Sequence, residues 1–328
     1  MGAADTAKAH RITHAGRTAT YGTIYIVEIL RRALQSAFDH DFLTVGQATA
    51  YSAMVALFPA LIVAAAVISL LPETVPVRMQ MAVFFDRVLP SNVSPLLSAY
   101  FGSSHHGPQT ARALLGSVVV SLAGASSVMS TLMEGFSRAH DLPPDTQSFW
   151  RSRGRSLALV PLSLIPMSLA SALVVFGHFF AAWLAAKVAT PLQTPVYLVA
   201  FLLRWAMALA GSVGIIAVIY HLGTDLTKHM REHMGPWLTL RPDWSWRASL
   251  PGAMVATALW FLTTLGFGFY VTRFANYSQV YGSLGAAIAL MVWLYIIALS
   301  VLIGSEFNAQ LNLDRRNLHP RTEPLPDR

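Results

Sequence analysis

The last apolar stretch, residues 281–310, reads Y-G-S-L-G-A-A-I-A-L-M-V-W-L-Y-I-I-A-L-S-V-L-I-G-S-E-F-N-A-Q. It is long enough to cross a bilayer, whose core of about 30 Å takes roughly 20 apolar residues of helix. Polar and helix-permissive residues mark its ends: Tyr281, Gly282 and Gly285 at one, Glu306 and Asn308 at the other. Five further runs of this kind precede it, so spans are predicted near 46–71, 112–133, 156–182, 196–220, 249–272 and 281–305. The expected fold class is all-α: a polytopic membrane protein with six transmembrane helices and additional amphipathic interfacial helices.

Composition agrees. Only 12% of the 328 residues are charged and 54% are apolar, against roughly a quarter charged in a soluble domain. Basic residues set the expected orientation, because cytoplasmic loops carry an excess of Lys and Arg. Of the 23 Lys and Arg residues, all but Arg78, Arg87, Arg112, Lys187, Arg204 and Arg273 fall in segments that share one side. Both termini are therefore expected in the cytoplasm. The net charge of +7 follows from this sidedness, and a basic surface facing anionic lipid headgroups accounts for it without nucleic acid.

The first 40 residues lack an apolar core followed by small residues, so no cleavable leader is expected and the first span inserts as its own signal. The chain has no cysteine, which excludes disulfides and thiolate metal sites. Residues 1–20 and 313–328 are polar and rich in charge or proline, and are expected to be disordered around a membrane domain over 21–312.

Before the first span, Val27, Leu30, Leu34, Ala37 and Phe38 recur at helical spacing opposite Glu28, Arg31, Arg32, Gln35 and Asp39. Two readings fit: an amphipathic helix on the cytoplasmic membrane surface, or a helix packed on cytoplasmic loops. The first loop, 72–111, holds V-R-M-Q-M-A-V-F-F-D-R-V-L and P-L-L-S-A-Y-F, which are expected to lie at the outer interface. His105 and His106 there have no acidic neighbour and read as a solvated turn.

Inside the spans, polar and helix-breaking residues stand out. Span two carries Ser117, Ser121 and Ser127 among many small residues. Such a face serves tight helix packing or lines a path for a headgroup or solute. Pro59, Pro161 and Pro166 are expected to kink spans one and three, and broken helices are a common ingredient of transporter sites. Arg204 falls about 12 Å below the outer boundary of span four. A charge at that depth costs a few kcal/mol or more unless it snorkels, bonds to backbone, or meets a hydrated cavity and an anionic group. After span four, His221, Asp225, His229 and His233 follow at i, i+4 spacing and make a weak candidate metal ladder. Gly223, Lys228 and Arg231 argue against it, and an exposed helical extension is the favoured reading. No metal or other cofactor is expected.

Three segments carry a family resemblance: D-F-L-T-V-G-Q-A-T-A-Y-S-A-M-V-A-L-F-P from Asp41 to Pro59, L-P-G-A followed by L-W-F-L-T-T-L-G-F-G-F-Y from Leu250 to Tyr270, and Y-G-S-L-G, W-L-Y and G-S-E-F-N-A from Tyr281 to Ala309. Over about residues 25–312 the chain resembles the YihY/virulence factor BrkB family, most specifically through the glycines, Trp293, Tyr295 and the Glu306–Asn308 group. The resemblance implies a bacterial inner-membrane protein with six spans. It also implies links to envelope integrity and to lipid or lipopolysaccharide handling, and the older label ribonuclease BN. The loop 221–247 departs from the family pattern in being longer and His-rich.

Three functions follow for weighing. A ribonuclease needs grouped acids, bases or metal ligands in water, and the loops concentrate none. A transporter of lipid or amphipathic envelope components needs a polar intramembrane face, interruptible helices and an intramembrane charge. A membrane scaffold needs only packing surfaces. Membrane lipids and anionic headgroups at the cytoplasmic face are the expected partners, nucleic acid is not, and a homo-oligomer is compatible. Glu306, about 37 Å along the helix from Tyr281, is expected at the inner interface with Asn308, free to pair with Arg151, Arg153 or Arg155 rather than to act as a buried proton site. Arg204 is the favoured intramembrane group.

Overall fold

The computed structural model describes residues 25–69, 108–142, 153–164, 187, 190–224, 246–273 and 284–318. Among them the regular structure is entirely helical: α1 (25–39), α2 (Phe42–Ser69), α3 (Pro108–Ala139), α4 (153–164), α5 (Thr190–Gly223), a 3-10 turn (Trp246–Ser249), α6 (Leu250–Arg273) and α7 (Leu284–Leu318). Five helices are long and apolar enough to span a bilayer: α2, α3, α5, α6 with its preceding turn, and α7. They coincide with five predicted spans. Most of the predicted span 156–182 lies outside the described residues, as do the first loop up to 107 and Pro166.

α2 pairs antiparallel with α3 and α7 antiparallel with α6, while α7 also lies along α2. Lipid tails are as apolar as leucine, so helices in a bilayer associate through close packing and hydrogen bonds rather than by escaping water. Both devices gather at one end of the bundle. There Phe42, Val45, Phe136, Ala217, Tyr220 and Leu302 form the largest core cluster. Tyr220 stands edge-on to Phe136 at 5.1 Å, and its hydroxyl donates to the Val301 carbonyl. Gly252 of α6 and Gly304 of α7 face each other backbone to backbone, and a Cβ on Gly304 would come within 2.6 Å of the Ala256 Cβ. About 18 Å along α3 from Phe136, towards the middle of the bundle, Gly124 lies against Ala56, where an added Cβ would meet the Ala56 Cβ at 2.6 Å.

Among the described residues the other end is loosely packed. Cβ atoms built on Gly116 of α3 or on Gly266 and Gly268 of α6 would touch nothing, nor would one on Gly214, midway along α5. Leu198, Val199, Leu202 and Leu203 at the start of α5 are all exposed. The described contacts between α3 and α5 sit at the closed end, where Gly223 abuts Phe136 and Ile219 packs beside Met129 and Met133.

α2 continues through Pro59. A missing N–H in a membrane helix is tolerated where neighbours and local adjustment satisfy the backbone. Pro161 likewise lies within α4 and is exposed, and α5 contains Pro195, which the sequence reading passed over. α7 runs to Leu318, six residues beyond the boundary expected at 312. Hydropathy stops at the membrane, whereas the helix does not.

α1 packs on the bundle through only part of its apolar face. Ile29, Ala33 and Ala37 are buried, the first two against Phe307 of α7, with Leu30 packed beside them. Val27, Leu34 and Phe38 of the expected apolar face are exposed within the protein, Phe38 by 69%, on the sector that a membrane-surface helix would lay against lipid. Small Ala33 and Ala37 let α1 approach the bundle closely, and the bulky residues take the neighbouring sector.

Candidate functional site

Two polar neighbourhoods stand out, one at each end. At the closed end Glu306 is fully buried, twelve residues before the end of α7. This overturns the expectation that the side chain is unburied and free to pair with loop arginines. Counting helical rise from Tyr281 placed Glu306 beyond the hydrocarbon, but α1, the α1–α2 turn and the end of α3 cover it there. Its partners are not the expected arginines. Glu306 Oε2 lies 2.9 Å from His40 Nδ1, and Oε1 accepts from Gln310 Nε2 at 2.9 Å. Gln310 Nε2 also donates to Ser36 Oγ at 3.1 Å. The other nitrogen of His40, Nε2, lies 3.3 Å from Oδ1 of the exposed Asp141. Arg153 instead reaches α3, donating to the Ala123 carbonyl at 2.9 Å and to Ser127 Oγ at 3.1 Å; Arg151 lies outside the described residues.

Local chain chemistry builds this cluster. α3 ends in a Schellman cap: the Leu142 N–H bonds to the Ser137 carbonyl and the Asp141 N–H to the Arg138 carbonyl. Asp141 takes the left-handed conformation at φ 51°, as the residue after a helix often does. Asp41, at φ 57°, turns the chain from α1 into α2, its carboxylate accepting from Thr44 Oγ1 at 2.8 Å. The two turns share a His-Asp pair, His40-Asp41 and His140-Asp141. That repeated dipeptide beside two predicted spans was the available signal for His40 and Asp141, and it was missed.

Asn308 has a clear task. Its Oδ1 accepts from the Gly252 N–H at 2.7 Å and its Nδ2 donates to the Ser249 carbonyl at 3.1 Å. A side chain of α7 thereby caps the first turn of α6, whose leading N–H groups have no intrahelical acceptor. The third and second resembling segments thus meet at one crossing: Gly304 on Gly252, and Asn308 on the start of α6.

At the open end Arg204 is half-buried, its guanidinium carbon 5.7 Å above the Phe201 ring. It lies about 24 Å along α5 from Tyr220, and Ser121 and Ser117 lie about 22 and 28 Å along α3 from Phe136. Tyr220 and Phe136 touch, so helical rise puts these side chains at similar distances from that contact on two helices that both end near it. Ser117 and Ser121 are half-buried. Ser127 is committed to structure, donating to the Ala123 carbonyl while accepting from Arg153.

The remaining candidates are dispersed. Trp293 Nε1 donates to Thr264 Oγ1 at 3.3 Å, a second α6–α7 tie. Gly285 is buried, while Tyr281 and Gly282 lie outside the described residues. His221 is exposed at the end of α5; Asp225, His229 and His233 lie outside the described residues. Among the described residues, no three His, Asp or Glu side chains gather as a metal-ligand set.

Apolar helices of membrane-spanning length, tied by buried glycine contacts and polar bonds, define a multi-pass helical membrane protein. A profile of the family described as virulence factor BrkB matches residues 33–326, and the chain belongs to that family. Its relatives are bacterial. It is 28% identical over 196 residues to a protein of Bacillus subtilis named putative ribonuclease-like protein YfkH, covering 60% of this chain and 64% of that one. It is 24% identical over 294 residues to a UPF0761 membrane protein of Ralstonia nicotianae, covering 89% and 60%. With a UPF0761 membrane protein of Tolumonas auensis it shares 41% identity over 81 residues, covering 23% and 27%. The chain thus spans less than two thirds of the length of each of these relatives. No solved structure matches.

Proposed function

We propose that this protein resides in the bacterial inner membrane with both termini in the cytoplasm, and that its open half receives lipid or another amphipathic envelope component. The observation that carries this reading is the space that Gly116, Gly266 and Gly268 face, with Arg204, Ser117 and Ser121 at similar distances by helical rise from the Phe136–Tyr220 contact. A guanidinium held within an apolar surface is suited to an anionic headgroup, which it can bind through paired N–H donors. The exposed leucines and aromatics around it suit acyl chains. The proposed orientation puts the closed end, with α1 and its Arg31 and Arg32, in the cytoplasm, where anionic headgroups complement them.

A non-transporting scaffold is the second reading, and the dense packing of the Glu306 end favours it. The ribonuclease-like name belongs to the Bacillus relative, and we propose no enzymatic activity here. The test uses the full chain in liposomes with labelled phospholipid. Transfer between leaflets is expected to exceed that of empty liposomes and to fall about tenfold or more in Arg204→Ala, with thermal stability unchanged. Transfer no faster than in empty liposomes returns the protein to the scaffold reading.

A further inference from the structure

α1 divides its surface into three sectors rather than two. With successive residues about 100° apart round the helix, the buried Ile29, Ala33 and Ala37 fall in one sector, the side that meets the bundle. Val27, Leu34 and Phe38 fall in a second, about 120° away, and are 58%, 42% and 69% exposed. Glu28, Arg32, Gln35 and Asp39 fill the third. A helix that met only the bundle and water would need two. The geometry points to the sector of Leu34, Phe38 and Val27 as a membrane-docking surface: α1 lies along the bilayer interface with one side on α7, one in lipid and one in water.

Two attachments fix the depth of that surface. Only His40 and Asp41 separate α1 from α2, whose membrane-spanning segment begins at Phe42. Phe38 therefore stands within about one turn of the point where the chain enters hydrocarbon. Along its length α1 is tied to α7 just past Gly304, where the uninterrupted apolar run of α7 ends. Ile29 and Ala33 pack on Phe307, Ser36 Oγ accepts from Gln310 Nε2 at 3.1 Å, and the Tyr25 hydroxyl donates to Asp314 Oδ2 at 2.8 Å. The exposed apolar sector is thus carried at the level where hydrocarbon gives way to headgroups. It is too short to cross: residues 25–39 rise about 22 Å, against a core of about 30 Å.

The same ties give α1 a slope. His40 meets Glu306 and Tyr25 meets Asp314, about 12 Å further along α7. Phe38 is therefore the deepest of the three apolar side chains and Val27 the shallowest. Arg31 stands on the border of the apolar and polar sectors and turns its guanidinium to Glu28 Oε1 at 2.7 Å and Gln35 Oε1 at 3.1 Å, on the water side. An interfacial arginine behaves this way, its stem along apolar surface and its head in the polar layer. Lipid is the occupant because the first span holds this sector at the bilayer, where a helix with a strong polar face and an apolar one binds in the interface plane. The inference rests on the membrane-spanning class alone, whichever solute the open half receives and whichever side the closed end faces.

The chain contains no cysteine, so single labels need no background mutations. Spin labels on Leu34→Cys, Phe38→Cys, Gln35→Cys and Asp39→Cys, in full-length protein in liposomes, are compared for broadening by oxygen, which concentrates in lipid, and by a water-soluble nickel chelate. Leu262→Cys, exposed in the middle of α6, gives the lipid reference. The expected oxygen-to-nickel ratio is severalfold higher at Leu34→Cys and Phe38→Cys than at Gln35→Cys and Asp39→Cys. It is higher at Phe38→Cys than at Leu34→Cys, and highest at Leu262→Cys. All five positions are exposed, so the labels leave the fold in place, and an unfolding midpoint matching wild type checks this. Equal ratios at the four α1 positions overturn the inference. So does shielding of Leu34→Cys and Phe38→Cys from both reagents, the result if residues 1–24, a second copy or another protein covers the sector. Lipid movement is not part of the readout, so failure here is distinguishable from failure of the leaflet-transfer test.

Discussion

At Gly252 and Gly304, near Glu306, an added methyl group has nowhere to go, and at Gly116, Gly266 and Gly268 it would touch nothing. Both halves are built from the same helices, α3, α6 and α7, with similar apolar composition, so hydropathy does not separate them. What differs is the use of small residues. Gly252, Gly304 and Gly124 bring backbones together, and Tyr220, Asn308 and Glu306 add hydrogen bonds where the approach is closest. Gly116, Gly266 and Gly268 are equally small but face space. A small-residue stripe therefore has two uses in one molecule, and its neighbours decide which.

The sharpest way to break the comparison is to fill both kinds of glycine. Gly304→Val drives a side chain into Gly252, Tyr220 and Ala256, and overpacking of this kind costs about 1–3 kcal/mol or more. It is expected to lower the thermal midpoint in detergent steeply or to prevent folding. Gly266→Ala, by contrast, is expected to be neutral or to stabilise by up to about 1 kcal/mol, because alanine is the better helix former. Equal effects at the two sites would erase the distinction between the halves.

A smaller effect is expected at Asn308. Asn308→Ala leaves the Gly252 N–H without its acceptor in a buried turn, at a cost of about 1–2 kcal/mol, read as a lower unfolding midpoint and faster amide exchange confined to the start of α6. The smallest effect belongs to α1. Hydrogen bonds from Arg31, and then Arg32, hold the Glu28 carboxyl down to about 2 from its usual 4.5. A lowered carboxyl contributes above its unfolded value and loses that contribution as pH falls through its folded one. Wild type and Glu28→Gln should therefore differ slightly above pH 4.5 and converge as pH falls towards 2. The pair is solvent-exposed, so the gap should shrink in high salt.

Much of this architecture was legible from sequence. Five of the six apolar runs recur as helices of spanning length, and the second and third resembling segments marked the α6–α7 crossing. Burial at the closed end was not legible. Helical rise locates Glu306 along its own axis but cannot show that α1 folds back over it. Nor can spacing choose between two adjacent apolar sectors of α1, because the choice depends on Ala33 and Ala37 being small enough to meet Phe307. Arg204 was found because a charge inside an apolar run is conspicuous. His40 and Asp141 were overlooked because they stand in turns, where such residues are ordinary.

The concentration of ties on α7 has a consequence for how the protein is made. Val301, Gly304, Glu306, Phe307 and Asn308 between them engage α5, α6, the α1–α2 turn and α1, yet they are synthesised after every helix they join. At about 5–20 residues per second, the 266 positions separating His40 from Glu306 take roughly 13–53 s to translate. Over that interval the earlier helices enter the bilayer without their common partner, and the start of α6 waits for its cap through the 56 positions from Gly252 to Asn308. Assembly of the closed end is therefore a late event in biogenesis, and a ribosome that stalls before the last turns of α7 leaves the inserted helices without these shared ties.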